Sequence, residues 1–213
     1  LSAATPSAAQ SEAQSEAPSE ARSEARSEAL SGGFADAPVQ SARAFREVLE
    51  AMARPGTIRK VAGARPPAPL SVAAGVALLV LCDPTTRLHL AGAADCPPVR
   101  DWVAFHIGAP LAPAETADFA LGRWEALQPV TRFRIGQPDY PDRSATLIVE
   151  CDRLVNHGPA LTGPGIETAT WLNLPETAAF RANRALFPLG FDCLFTAGDR
   201  IAGLPRSTRV ENI

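Results

Sequence analysis

Arg206, Ser207 and Thr208 form the grouping best equipped for chemistry in this sequence. An arginine fork beside two hydroxyls can grip a carboxylate or a phosphate through several charge-assisted hydrogen bonds. A surface ion pair at a strand end is nevertheless the better reading of Arg206, because Pro205 limits any strand there to an end or an edge. Asp142-Arg143-Ser144 could also bind a phosphate, but a local turn is the better reading of it. Gly163-Pro164-Gly165 resembles a phosphate loop only superficially. It matches neither the P-loop nor the GxGxxG pattern, and Pro164 deletes one of the N–H groups a phosphate cradle uses, so a plain turn fits better. Scattered serines with His157 and Asp152 could be drawn as a triad, but no GxSxG elbow supports one.

Cys82, Cys96, Cys151 and Cys193 are far apart, and none forms a CxxC pair or a Cys/His run. This spacing predicts reduced core thiols of a cytosolic protein rather than disulfides or a metal site. His89, His106 and His157 are equally isolated, so no metal is expected. The basic residues are 19 Arg and the single Lys60, which leaves one candidate for any Schiff-base or P-loop lysine. No catalytic set emerges from motifs alone.

The surrounding composition is that of a soluble globular protein, with 46% hydrophobic residues among 213. The longest apolar run, Ala73 to Cys82, is too short to span a bilayer, and no charged segment followed by an apolar run opens the chain as a secretory signal would. Residues 1–33 hold five Glu and two Arg, which accounts for the whole net charge of −3; the remainder is neutral. A neutral body argues against general nucleic-acid binding, which draws on a basic excess.

Residues 11–30 are a five-fold Ser-Glu-Ala-x repeat interrupted by Pro18. Its charges at four-residue spacing are like-signed (Glu12, Glu16, Glu20, Glu24 and Glu28; Arg22 and Arg26), which opposes a helix. The expectation is a disordered tail over 1–33, with Ser31-Gly32-Gly33 as the joint to a single α/β domain over 34–213.

Within that domain, Ala42, Phe45, Leu49 and Met52 recur at helical spacing and predict a first helix over Pro38–Met52, capped by Ser41 and ended by Pro55-Gly56. Thr57–Val61 reads as a short strand. Leu70–Leu78 reads as a buried helix running into an extended Leu79–Cys82, and Asp83-Pro84-Thr85-Thr86 as a turn. Arg87–Leu90 then reads as a strand and Pro98–Ile107 as a helix, with His106 on its apolar side as a satisfied core or interface histidine. Ala145–Val149 is continuous and β-branched, the pattern of a strand buried on both faces. Thr168–Leu172 reads as a strand and Pro175–Leu186 as a helix. The chain closes with Phe191–Thr196, a Gly198-Asp199 turn of type II′, and a second strand from Arg200. Interleaved helices and strands predict an α/β fold with a mixed sheet flanked by helices.

Seven segments, in order, resemble one family: FRxVLxAMxRPG (Phe45 to Gly56), LCDPTT with the strand after it (Leu81 to Leu90), FHxGAP (Phe105 to Pro110), SATLIV (Ser144 to Val149), LTGPGI (Leu161 to Ile166), FPLGxD (Phe187 to Asp192) and LPRSTRVE (Leu204 to Glu211). They resemble PhnH, a subunit family of the bacterial carbon–phosphorus lyase system, over residues 34–213.

The resemblance implies a role in phosphonate catabolism, in a cytoplasmic core complex with subunits called G, I and J. That assembly displaces adenine from ATP with a phosphonate, giving a ribose 1-phosphonate 5-triphosphate. The resemblance also implies a fold similar to the large domain of pyridoxal-phosphate-dependent transferases and a homodimer when alone, without that cofactor. Lys60 adds an independent argument, since it lies far ahead of the late-sheet position a Schiff-base lysine takes. The reading is therefore an interaction subunit with no catalytic residues of its own, no cofactor and no metal. Arg46, Arg54, His106 and Arg206 are its candidate interface or anion contacts, and Phe45 and Phe105 are expected in the core. The alternative is a stand-alone small-molecule or nucleotide-binding enzyme.

Overall fold

The computed structural model describes residues 31–211. Of the tail expected over residues 1–33, residues 1–30, with the Ser-Glu-Ala repeat, lie outside the described residues; only the joint Ser31-Gly32-Gly33 lies within them. The first described residues are held on the body: His106 Nε2 donates to the Ser31 carbonyl at 3.0 Å, and the Gly32 carbonyl accepts from the Arg65 N–H at 2.7 Å.

In chain order the elements are α1 (Ala37–Ala53), β1 (Arg59–Lys60), α2 (Val72–Leu81), β2 (Leu88–Leu90), α3 (Pro97–His106), β3 (Phe119–Arg123), α4 (Trp124–Leu127), β4 (Ile135–Gln137), β5 (Tyr140–Ser144), β6 (Thr146–Glu150), β7 (Ala160–Thr162), β8 (Thr170–Trp171), α5 (Ala178–Ala185), β9 (Asp192–Ala197), β10 (Arg200–Leu204) and β11 (Arg209–Val210). Six strands make the main sheet in the order β1-β10-β9-β6-β3-β2. The run β2, β3, β6, β9 is parallel, while β10 and β1 join antiparallel, so the fold is a mixed α/β sheet with helices.

The period of two along the strands explains why the sheet is buried on both faces. Leu121, Ile148, Leu194 and Ile201 pack with α1, α2 and α3 in one apolar cluster. Their neighbours Ala120, Leu147, Val149, Cys193, Phe195 and Ala202 pack with Trp124, Phe180, Leu161 and Leu172 in the other. The register sets like with like, Leu147 opposite Cys193 and Ile148 opposite Leu194. Burying one such Leu, Ile or Phe side chain is worth about 1.5–3 kcal/mol.

The closing hairpin follows its sequence. Ala197 pairs with Arg200, Gly198 takes φ 57°, and among the described residues no non-glycine residue, Asp199 included, has positive φ, which is the type II′ pattern. Asn183 on α5 fastens the start of β9, accepting from the Phe191 N–H at 2.9 Å and donating to its carbonyl at 2.8 Å.

The structure departs from several sequence expectations. Asp36, not Ser41, caps α1: its carboxylate accepts from the Val39 N–H while its own N–H donates to Gln40 Oε1. Helix α2 runs on through Leu81, because the Cys82 N–H still reaches the Leu78 carbonyl at 3.0 Å and the chain extends only at Cys82. Helix α5 starts at Ala178, three residues after Pro175, with the Glu176 carboxylate accepting from the Ala179 N–H.

Phe45 and Phe105 are not core residues; they are 46% and 59% exposed. For Phe45 the reason is the closeness of α1 to the sheet. A Cβ on Gly203 of β10 would lie 2.5 Å from the Ala51 carbonyl oxygen, so only small or branched residues fit beneath the helix. Ala44, Val48 and Ala51 take that face, and Phe45 and Leu49 are turned outward.

Candidate functional site

Ligands of open α/β sheets usually sit outside the carboxyl ends of the parallel strands. Here that edge carries a cleft of about 370 Å³, lined by Ser71, Gly122, Arg123, Glu125, Glu150 and Cys151. A second hollow of about 250 Å³ adjoins it and shares Arg123, Glu125, Glu150 and Cys151. Gly122 permits the close approach of β3 to the chain leaving β2, where a Cβ would meet Ala91 at 2.9 Å.

Glu150, the last residue of β6, dominates this edge. One carboxylate oxygen accepts from the Ser71 N–H at 2.7 Å and the other from the Thr196 hydroxyl at 3.0 Å. Ser71 is the N-cap of α2, where the helix dipole favours an anion. The protein's own carboxylate thus fills the seat that a ligand phosphate would take. Burial nevertheless pushes the Glu150 carboxyl above its usual range, and the bonds from Ser71 and Thr196 offset this only in part. Burial also pushes the Cys151 thiol up to about 11, so it stays protonated and weakly nucleophilic at neutral pH. Arg123 and Asp152 pair at 2.7 Å on the exposed rim. No histidine lines either hollow.

The amino edge of the same strands is built differently. Arg206, just past β10, donates from its backbone N–H and Nε to Asp192 Oδ1 at 2.8 and 3.1 Å, and from Nη2 to Oδ2. Its Nη1 donates to the Pro141 carbonyl at 2.6 Å and its Nη2 also reaches Ser144 Oγ. Beside this pin lies a cleft of about 560 Å³ whose lining includes Thr85, Arg87, Asp118, Arg134, Arg143 and Ser144. Asp118 accepts from the Arg87 N–H at 2.9 Å, from its Nε and Nη2 at 3.0 and 2.9 Å, and from Arg134 Nη1 at 2.6 Å. Burial works to raise the Asp118 carboxyl, but the bonds and charge of Arg87 and the charge of Arg134 outweigh it and hold it below its usual range.

The four residues singled out in the sequence are not brought together, and none lines the clefts above. Arg46 is exposed on the outward side of α1. Arg54 caps the end of that helix and pairs with Glu50 at 3.3 Å. His106 ends α3, tilted against Trp102 and edge-on to Phe105, and is bound to Ser31. Arg206 grips an anion, as its type suggested, but that anion is Asp192. The sequence reading missed Glu150, Asp118, Arg87 and Arg134; only Glu150 carried a signal, as the acid directly after a doubly buried strand. Among the described residues, no group of histidines, cysteines and carboxylates could hold a metal ion. No described helix is long and apolar enough to cross a membrane.

Residues 32–211 match the family model described as bacterial phosphonate metabolism protein (PhnH). The chain is 38% identical over 192 residues to the alpha-D-ribose 1-methylphosphonate 5-triphosphate synthase subunit PhnH of Rhizobium meliloti (strain 1021), covering 85% of this chain and 95% of that protein. It is 30% identical over 197 residues to the putative C-P lyase subunit protein HtxG of Stutzerimonas stutzeri, covering 84% and 94% respectively.

Proposed function

The chain belongs to the PhnH family of bacterial phosphonate metabolism proteins, and from that premise we propose that it works as an interaction subunit of the carbon–phosphorus lyase core complex. In this role it supports formation of a ribose 1-phosphonate 5-triphosphate from ATP and a phosphonate, in the cytoplasm, with partners of the G, I and J types. Alone it forms a homodimer.

One observation carries the reading. Helix α1 offers an apolar stripe with no cover among the described residues: Val39, Phe45 and Leu49 are 44%, 46% and 54% exposed, and the exposed Arg46 lies on the same outward side. An exposed aromatic and aliphatic row with an arginine at its side has the composition of an interface core and rim.

Catalysis on this reading belongs to the partners, and pyridoxal phosphate is not bound. Lys60 supports this: it lies on the outermost strand β1, largely exposed, paired with Asp199 at 3.0 Å, and outside the carboxyl-edge lining. The likeness to the large domain of pyridoxal-phosphate-dependent transferases belongs to the same proposal, supported by the parallel centre of the sheet.

The test is native mass spectrometry after co-expression with the other core subunits. Incorporation of the chain into one stoichiometric particle supports the role. A chain that stays free in the presence of all partners overturns it.

A further inference from the structure

The amino-edge cleft gathers arginines from three separate stretches: Arg87 ahead of β2, Arg134 ahead of β4, and Arg143 within β5. Arg87 and Arg134 share the single carboxylate of Asp118, so one positive charge remains between them. Arg143 lies with its guanidinium carbon 3.9 Å from the centre of the Tyr140 ring and pairs with no carboxylate among the described residues. Including Asp142, the lining holds three arginines against two aspartates, a net charge of +1.

The available hydrogen-bonding groups are mainly donors. Ser144 Oγ accepts from Arg206, which leaves its own O–H free to donate. The Asp118 carboxylate holds Arg87 and Arg134 in place in advance, so little side-chain entropy is lost when a ligand arrives. Planar guanidinium forks around a space of this size match a multivalent oxyanion, and tetrahedral phosphorus oxyanions best of all. The carboxyl edge offers no comparable seat, because Glu150 already occupies the N-terminus of α2.

We propose that the amino-edge cleft binds the tetrahedral oxyanion of a phosphorus compound, a phosphate ester or a phosphonate, between Arg134, Arg143 and Ser144. The subunit thus carries a ligand site of its own, and this inference does not rest on how the chain assembles.

The test is isothermal titration calorimetry of the full chain, at constant ionic strength, with inorganic phosphate in one arm and methylphosphonate in the other. Saturable binding of at least one probe is expected. Arg143→Gln should weaken it at least tenfold with little change in the unfolding midpoint, since Arg143 is exposed and loses only its stacking on Tyr140. Arg134→Gln should weaken it similarly. Tighter binding of methylphosphonate assigns the site to a phosphonate, and tighter binding of phosphate to a phosphate ester. Absence of saturable heat with both probes, or wild-type affinity in both variants, overturns the proposal. Either failure is separate from the assembly reading, which the native mass of the complex decides independently.

Discussion

The guanidinium of Arg206 and the carboxylate of Asp192 hold each other across the amino edge of the sheet, with side chains only 14% and 20% exposed. Asp192 opens β9, and Arg206 follows β10, its hairpin partner. The pair therefore clamps the open end of the hairpin, while Pro141 and Ser144 tie the same guanidinium to β5.

Arg206→Ala should accordingly destabilise the fold by about 3 kcal/mol, since removing one partner leaves the other partly buried and unpaired. Arg206→Lys should recover little, because an ammonium cannot reproduce the fork. Urea unfolding reads both. A loss under about 0.5 kcal/mol for Arg206→Ala would mark the pair as a surface ornament.

On the outward face of α1 the opposite balance is expected. Phe45→Asp and Leu49→Asp replace exposed side chains, so stability should stay within about 0.5 kcal/mol of the parent. Incorporation into the co-expressed complex, or self-association of the isolated chain, should fall at least tenfold. Unchanged native mass in both settings would remove this face from consideration.

These two cases show what the sequence could convey. The hairpin was legible because Gly198-Asp199 specifies its turn locally, and β6 because an unbroken branched run fits only a doubly buried strand. Helix α1 was legible as a helix, but not in orientation: it has two apolar rows, and the choice between them depends on Gly203, far along the chain. Arg206 was legible as an anion grip; its anion, 14 residues upstream, was not. Asp118 was invisible because its partners, Arg87 and Arg134, lie 31 and 16 residues away and meet it only in the folded sheet.

Glu150 makes stability depend on pH in an unusual direction for a hydrogen-bonded carboxylate. Its folded-state pKa lies above the ordinary value, chiefly through burial. The folded chain then binds more protons at this site than the unfolded chain, so its contribution falls as pH rises from about 4.3 through the folded value and is level above it. Glu150→Gln keeps an acceptor for the Ser71 N–H and abolishes the titration. The stability of the parent relative to this variant should fall across that window, as read by urea unfolding from pH 4 to pH 7. A difference constant with pH would show that Glu150 does not titrate as described. Glu150→Ala should cost about 1–3 kcal/mol by orphaning the Ser71 N–H.

The thiols make a kinetic prediction. Burial pushes Cys82 up to about 12 and Cys151 to about 11, and Cys193 well above its ordinary value. At pH 8 these residues are almost wholly protonated, so iodoacetamide should modify each at least tenfold more slowly than a free thiol with a pKa of about 8.5. Peptide mapping by mass spectrometry separates the sites. Rapid labelling of Cys151 would reveal an activated thiol at the carboxyl edge and reopen a catalytic role there.

Gly203 gives the most direct test of why α1 turns Phe45 outward. A methyl group at this position would lie 2.5 Å from the Ala51 carbonyl oxygen and 2.8 Å from the Met52 Cα, both backbone atoms of α1 that no side-chain rotation can clear. Gly203→Ala must therefore lift the helix from the sheet and loosen Ala44, Val48 and Ala51 together. Overpacking of this kind costs about 1–3 kcal/mol. The lifted helix also carries the exposed row of Phe45 and Leu49 with it, so assembly should weaken alongside stability. Gly203→Ala with an unchanged urea midpoint and unchanged native mass would mean that α1 is not seated on the sheet as closely as the backbone contact requires.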